Sequence, residues 1–174
     1  MFMKRELKII IFCVASLIFI GCDRITKDLA KEHLMYQAPA SYFHDTFRFH
    51  YIENTGAFFG MGADIPQPFN FILLSVIPLA MLTGLFIYML LKIKDLGIAE
   101  LLAFSLIFSG GLGNIIDRIM FESRVTDFLN VGIGSLRTGI FNVADMCVTG
   151  GVILLLFLTR SGKDVKTEEV HNEP

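Results

Sequence analysis

The chain has 174 residues, of which 53% are hydrophobic, and it carries a formal net charge of −2 at pH 7. Its apolar residues are gathered into four blocks, whereas a soluble domain spreads them at the period of a helix or strand, so the pattern predicts a polytopic membrane protein. No basic stripe indicates a nucleic-acid partner, and Cys13, Cys22 and Cys147 lack the spacing of a disulfide framework or a zinc site. We therefore expect no nucleic acid, no metal and no cofactor.

The apolar blocks predict four transmembrane helices, because about 20 residues cross the hydrocarbon core. The predicted spans are about 7–22, 69–91, 98–116 and 139–158. Four spans place both termini on one side, and the denser Lys and Arg of the short segments on that side predict that the termini are cytoplasmic. The two long segments between spans then lie together on the outer side, where we expect the chemistry.

The first block, Met1 to Cys22, has a basic start and an apolar run ending in Gly21-Cys22, a pattern that signal peptides and first membrane anchors share. We interpret it as an anchor, because the later spans keep the protein in the membrane whether or not this segment is cut. Just beyond it, Asp23 and Lys27 are four residues apart, so a helix continuing into the interface would pair them.

Two short strands are predicted on the outer side. Aromatic and polar residues alternate from Thr46 to Ile52, before the turn signal Glu53-Asn54-Thr55-Gly56. A second candidate strand runs from Arg124 to Leu129 and contains Asp127. A sheet with open edges cannot lie in lipid, so we expect a platform on the membrane surface. The predicted fold class is an all-α membrane protein with a small antiparallel β element on the outer membrane face.

The third span ends in a glycine-rich run, 110–113, and the fourth contains Gly150-Gly151. Small residues let helix backbones approach closely, which predicts that these two spans pack together. At the outer end of the third span, Asp117 lies near the helix C-terminus, where an acid is disfavoured. We expect Arg118 or Arg124 to supply its partner.

Asn142 and Asp145 open the fourth span, three residues apart. One interpretation is structural, with Asn142 as the N-cap and Asp145 as a favourable acid in the first turn. This does not explain Asp127, a second carboxylate on a loop that must return to the start of the same helix. If Asp127 and Asp145 meet across a water, one would be protonated and the other ionised near neutral pH, an acid–base pair for peptide hydrolysis.

Taken together, these motifs resemble the lipoprotein signal peptidase family, the type II signal peptidases of bacteria. The resemblance covers residues from about 7 to 160 and rests on five ordered elements: Asp23-Arg24-Ile25-Thr26-Lys27, Asn54-Thr55-Gly56-Ala57, Gly110-Gly111-Leu112-Gly113-Asn114-Ile115-Ile116-Asp117-Arg118, Val125-Thr126-Asp127-Phe128 and Phe141-Asn142-Val143-Ala144-Asp145.

The resemblance implies an aspartyl endopeptidase that removes the signal peptide of a diacylglyceryl-modified prolipoprotein, cutting before the lipidated cysteine. It implies that Asp127 and Asp145 are the catalytic pair. Residues that hold the substrate would be Asn54, Gly56, Asn114, Arg118 and Asn142, and supporting residues would be Asp23, Lys27 and Asp117.

The family also implies contact with membrane lipids, inhibition by globomycin-type peptides and a site at the outer face of the bacterial cytoplasmic (inner) membrane. We expect a monomer. Residues 1–160 would form a single polytopic peptidase domain, and the polar tail, 161–174, is predicted to be disordered in the cytoplasm.

Two other classes of protein could carry such acids. A small proton-coupled carrier or channel also uses paired intramembrane acids, but it would carry them along its helices, whereas here the polar residues cluster at one membrane face. A non-enzymatic assembly subunit would use the acids only to pair with Arg118 or Arg124. We favour the interfacial enzyme.

Overall fold

Four long helices make up most of the protein. The computed structural model describes residues 3–57 and 60–171, with side chains as far as residue 160. The helices are long and apolar enough to cross a membrane and are α1 (Arg5–Leu34), α2 (Phe69–Lys92), α3 (Ile98–Met120) and α4 (Val143–His171). The predicted fold class, a membrane all-α protein with a small β element, is confirmed.

Helix α1 is longer than the span predicted for it. Its 30 residues extend about 45 Å at 1.5 Å per residue, which exceeds a hydrocarbon core of about 30 Å. The apolar first part is followed by a charged part that contains Asp23 and Lys27. The helix therefore carries charged side chains beyond its apolar part, alongside the end of α3.

Helix α4 is assigned as far as His171. We predict disorder for the tail, residues 161–174. The side chains of this tail are not described, and residues 172–174 lie outside the described chain. Its disorder stays a prediction.

Helix α3 is central, since it contacts α1, α2 and α4, and its contact with α4 is the most extensive. Glycine makes this approach possible. A Cβ atom on Gly110 would lie 2.3 Å from the carbonyl oxygen of Ala144, and one on Gly151 would lie 2.8 Å from that of Ala103. The predicted packing of the third and fourth spans is therefore confirmed, and it brings the first turn of α4 against the end of α3.

The sheet has four antiparallel strands in the order β1 (Ala40–Tyr42), β2 (Phe47–Asn54), β3 (Val125–Ile133) and β4 (Leu136–Arg137). Both predicted strands are present, as β2 and β3; β2 ends two residues later than expected and β3 four residues later. In their register Ile52 lies opposite Asp127 and Asn54 opposite Val125. The sheet therefore places the Asn54 turn beside the start of β3.

Candidate active site

A small cavity lies where the sheet meets the ends of α3 and α4. Asp127 from β3 and Asp145 from α4 both line it. Its volume is about 30 Å³, enough for a water molecule, which needs roughly 10–15 Å³. The other lining residues are Asn54, Ala57, Asn114, Arg118, Val125, Ile140 and Phe141. Two carboxylates from separate parts of the chain thus share one water-sized space.

The two acids come together because the chain turns back beside β3 before α4 begins. Phe141 and Leu129 exchange two backbone hydrogen bonds, each 2.8 Å long. This bridge sets Asn142 next to Asp127, and the Asn142 side chain donates to Asp127 Oδ1 at 2.6 Å. The loop between the two acids is therefore closed by backbone pairing.

Asp145 belongs to a reciprocal cap at the start of α4. The Asp145 amide donates to Asn142 Oδ1 at 2.9 Å, and the Asn142 amide donates to Asp145 Oδ2 at 3.1 Å, which is the geometry of a capping box. The structural interpretation of this pair is therefore correct as far as it goes. The other oxygen of Asp145 accepts from Asn114 Nδ2 at 2.8 Å, and the residue also lines the cavity. One carboxylate thus has a capping role and faces the site.

Asp127 is 2% exposed and is held by two neutral amides. Asn54 Nδ2 donates to its Oδ2 at 2.9 Å, in addition to the bond from Asn142. Burial raises the pKa of Asp127 to about 6, and the nearby charge of Asp145 adds to that rise, while the two amide hydrogen bonds act against it. Asp127 is therefore an acid that can change protonation state near neutral pH.

Asn114 has a defined orientation because a buried cation fixes its side chain. Lys27 Nζ donates to Asn114 Oδ1 at 3.0 Å, and Asn142 Nδ2 donates to the same oxygen at 3.1 Å. The Asn114 NH₂ group must then point the other way, toward Asp145. Lys27, which is 0% exposed, thus acts on Asp145 through one intervening amide.

The partners predicted for Asp117 are wrong. Asp117 lies 2.8 Å from Arg24 and 3.0 Å from Lys27, both on α1, and accepts a further bond from the backbone at residue 126. Arg118 cannot pair with it because adjacent residues on a helix do not face each other. Arg124 forms its ion pairs elsewhere, with glutamates.

The predicted pair of Asp23 and Lys27 is confirmed, with 2.8 Å between the charged atoms. The second oxygen of Asp23 accepts the Ala144 amide at 2.9 Å, so the carboxylate joins α1 to the first turn of α4. Gly113 leaves room for this contact, because a Cβ atom there would lie 2.8 Å from Asp23.

Arg118 holds the turn that follows β2. Its Nη2 donates to the Gly56 carbonyl at 2.9 Å, and the Gly56 amide donates to Asn54 Oδ1 at 2.9 Å. A Cβ atom on Gly56 would lie 2.5 Å from the Gly60 backbone, so only glycine fits. The Nε of Arg118 is buried and has no hydrogen-bond partner among the described residues.

One residue that positions the site was not predicted. Asn70, 3% exposed at the start of α2, donates from Nδ2 to the carbonyls of Thr55 and Gly62, both at 3.0 Å. It thereby anchors both sides of the loop after Asn54 to the helix. The sequence shows a polar residue in the first turn of an apolar span. From sequence alone such a residue cannot be distinguished from one that only caps the helix.

The sequence model of the family described as Signal peptidase (SPase) II matches residues 15–160. The chain belongs to the signal peptidase II family.

Individual relatives agree with this assignment. The chain is 36% identical over 158 residues to the lipoprotein signal peptidase of Borreliella burgdorferi (strain ZS7), covering 88% of this chain and 89% of the relative. It is 30% identical over 154 residues to the lipoprotein signal peptidase of Syntrophus aciditrophicus (strain SB), covering 88% and 93%. A solved structure described as a bacterial membrane enzyme matches with a TM-score of 0.75 at 25% identity, covering 89% and 90% of the two chains.

Signal peptidase II membership makes the chain an aspartic endopeptidase and a multi-pass bacterial membrane protein, and it supports the cleavage of lipoprotein signal peptides. The resemblance inferred from the five motifs is confirmed. The two alternative classes, a proton-coupled carrier and a non-enzymatic assembly subunit, are thereby set aside.

Proposed function

We propose that the protein removes the signal peptide from diacylglyceryl-modified prolipoproteins by attack of a water held between Asp127 and Asp145. The observation that carries this proposal is the shared cavity, which both acids line and which has room for a water. Neutral amides hold each acid in place, so the two side chains are positioned before substrate binds.

The charges around the site favour a pair that carries one proton. Four buried or cavity-lining carboxylates, those of Asp23, Asp117, Asp127 and Asp145, share this region with three cations, Arg24, Lys27 and Arg118. Asp28, which also pairs with Arg24, is mostly exposed to solvent and is not counted. A single proton removes the surplus negative charge. We assign it to Asp127, because burial raises the pKa of that acid to about 6. With this pKa Asp127 is mostly ionised at pH 7 in the free enzyme, and bound substrate would shield the cavity from bulk water and so raise the protonated fraction.

In the first step, Asp145 takes a proton from the water while the water oxygen attacks the carbonyl carbon of the scissile bond. Asp127 gives its proton to the carbonyl oxygen. In the second step, Asp127 recovers that proton and Asp145 protonates the leaving nitrogen as the carbon–nitrogen bond breaks. The products are a signal peptide with a new carboxyl group and a lipidated cysteine with a free amine. The substrate backbone would be held by five residues that lie around the two acids: Asn54, Gly56, Asn114, Arg118 and Asn142. These would be supported by the buried charges of Asp23, Lys27 and Asp117.

An apolar groove beside the cavity suits the lipid-embedded part of the substrate. It has a volume of about 420 Å³, shares Phe141 and Asp145 with the cavity, and continues along α4 past Met146 to Ile153. Eight residues of helix correspond to about 12 Å, so the groove runs into the apolar part of α4. The signal helix or the acyl chains would lie there, with the scissile bond at the carboxylates.

We place this site at the outer face of the bacterial cytoplasmic membrane, with both termini in the cytoplasm and the sheet resting on the membrane surface. The distribution of Lys and Arg supports that orientation. Because one chain supplies both acids and the side chains that hold them, a monomer suffices as a single peptidase domain of residues 1–160. A globomycin-type peptide would inhibit by binding in the apolar groove and covering the two acids, because the cavity itself holds only a water.

The function is tested with purified protein in detergent and two forms of one precursor, diacylated and unlipidated. We expect the diacylated precursor to be cut before its cysteine, as read by the mass of the product, and the unlipidated precursor to be cut poorly. No cleavage of the diacylated form, or cleavage at another bond, would contradict the proposal. Equal rates for the two forms would contradict the role given to the acyl chains.

A further inference from the structure

A second polar pocket lies on the sheet next to the active-site cavity. Its volume is about 290 Å³. It shares Ile140 with the cavity and Thr138 with the apolar groove. We call it the basic pocket, and its lining residues are Pro39, Arg48, His50, Asn130, Arg137, Thr138 and Ile140.

The basic pocket carries a net positive charge because two guanidinium groups share one carboxylate. Arg48 donates from Nε to Asp45 at 2.6 Å and from Nη2 to the other carboxylate oxygen. Arg137 reaches the same residue, donating to the Asp45 carbonyl at 2.7 Å and to its carboxylate at 3.4 Å. The hydrogen bonds from Arg48 lower the pKa of Asp45 below its usual range, so this carboxylate stays ionised. One positive charge remains uncompensated within the cluster.

The pocket is held in shape before any ligand binds. Arg137 donates from Nε to Asn130 Oδ1 at 2.6 Å, and Asn130 in turn donates to the Thr138 carbonyl at 2.6 Å. The Arg137 side chain is 11% exposed. Arg48 is more open, at 40%, and its Nη1 makes no hydrogen bond within the described residues. A ligand with an acidic group would therefore meet a fixed charge and an available donor.

The polarity of each part of the substrate determines which part fits this pocket. The signal helix and acyl chains are apolar and belong in the groove along α4. The chain that follows the cysteine is polar and leaves the membrane, and the basic pocket is a polar space on the sheet that adjoins the cavity. Building on the proposed function, we propose that the basic pocket binds the first residues of the mature chain and favours a carboxylate side chain there.

The test uses wild-type protein and diacylated precursors that differ at one position, with Asp, Asn or Lys at the first, the second or the third residue after the cysteine. We expect kcat/KM to fall in the order Asp, Asn, Lys at one of these positions, by about threefold to tenfold between Asp and Lys, as for a partly exposed charge pair. The difference should shrink as salt is added. Equal rates for Asp, Asn and Lys at all three positions would overturn the inference. No cleavage of any precursor would instead count against the proposed function.

Variants of this chain provide a second test of the preference for a carboxylate. Arg48→Gln should remove the preference for Asp over Lys, Arg48→Lys should retain most of it, and Arg124→Gln should leave it unchanged, since Arg124 pairs with glutamates outside the pocket. A preference that survives in Arg48→Gln would contradict the inference. If Arg48→Gln slows all precursors equally, and only in vesicles containing anionic phospholipid, the pocket binds lipid headgroups and the peptide proposal is wrong.

Discussion

Both ends of the helix bundle contain fully buried side chains, but different forces hold those side chains in place. At one end, Met89 and Leu101 are 1% and 0% exposed and belong to an apolar cluster with Phe12 and Phe104. At the other end, Lys27 is also 0% exposed, but it is surrounded by carboxylates and amides.

The difference explains why the chemistry lies at the polar end. Apolar burial stabilises in proportion to area and has no preferred direction, so it tolerates changes of shape. A buried charge is costly unless every partner is in place, so the polar end fixes the direction of each side chain. That fixed direction is what a pair of acids needs to activate a water.

The largest effect on stability is expected from Lys27→Met. The change leaves Asp23 and Asp117 with one cation fewer in a buried site, which should lower the free energy of unfolding by about 3–5 kcal/mol. The measurement is chemical unfolding in detergent. Lys31→Met is the matched control on the exposed side of the same helix, where its cation lies over the Phe121 ring, and should cost no more than about 1 kcal/mol. A Lys27→Met protein as stable as wild type would contradict the claim that buried charges hold the polar end of the bundle together.

At the apolar end, Leu101→Ala should lower the free energy of unfolding by about 2–5 kcal/mol through the cavity it leaves, while kcat/KM per folded molecule stays at the wild-type value. Leu101→Met keeps the volume and should cost less than about 1.5 kcal/mol. The measurements are unfolding in detergent and cleavage at a temperature where each variant is folded. If kcat/KM per folded molecule also falls in Leu101→Ala, packing at the apolar end affects catalysis at the polar end, and the predicted independence of the two ends is wrong.

A smaller and more specific effect concerns pH. If Asp127 must be protonated, kcat/KM should decline as the pH rises through its pKa of about 6 in the free enzyme. The bond from Asn54 favours the ionised carboxylate and so lowers the pKa of Asp127. Asn54→Ala should therefore raise that pKa and move the alkaline limb of the profile to higher pH. Gln67→Ala, which loses a bond to Ser123 instead, should leave the limb in place. An unmoved limb in Asn54→Ala would argue against Asp127 as the proton donor.

Sequence reasoning succeeded where the partners are close in the chain or repeat with a clear period. Asp23 and Lys27 share one helix face, Asn142 and Asp145 form a cap, and β2 shows alternation, so each could be predicted. Asp117 could not, because its cations lie on α1 about 90 residues earlier and helix packing alone brings them together.

The same limit applies to the rest of the site. Asn70 acts by binding two backbone carbonyls of a loop whose path no local pattern specifies. The basic pocket depends on Arg137 reaching Asp45 across the sheet. The pocket needs the register of β2 and β3, and the alternation of apolar residues indicates which face a residue occupies but not which residue it pairs with.

The most direct test of the account compares Asp127→Asn and Asp145→Asn with Asp95→Asn, an acid in the exposed turn between α2 and α3. Cleavage of a diacylated precursor and unfolding in detergent are measured for each protein. We predict that either site change lowers kcat by about 100- to 10,000-fold while the protein remains folded, and that Asp95→Asn cleaves at the wild-type rate. A folded Asp127→Asn or Asp145→Asn protein that cleaves at the wild-type rate would contradict the two-acid mechanism.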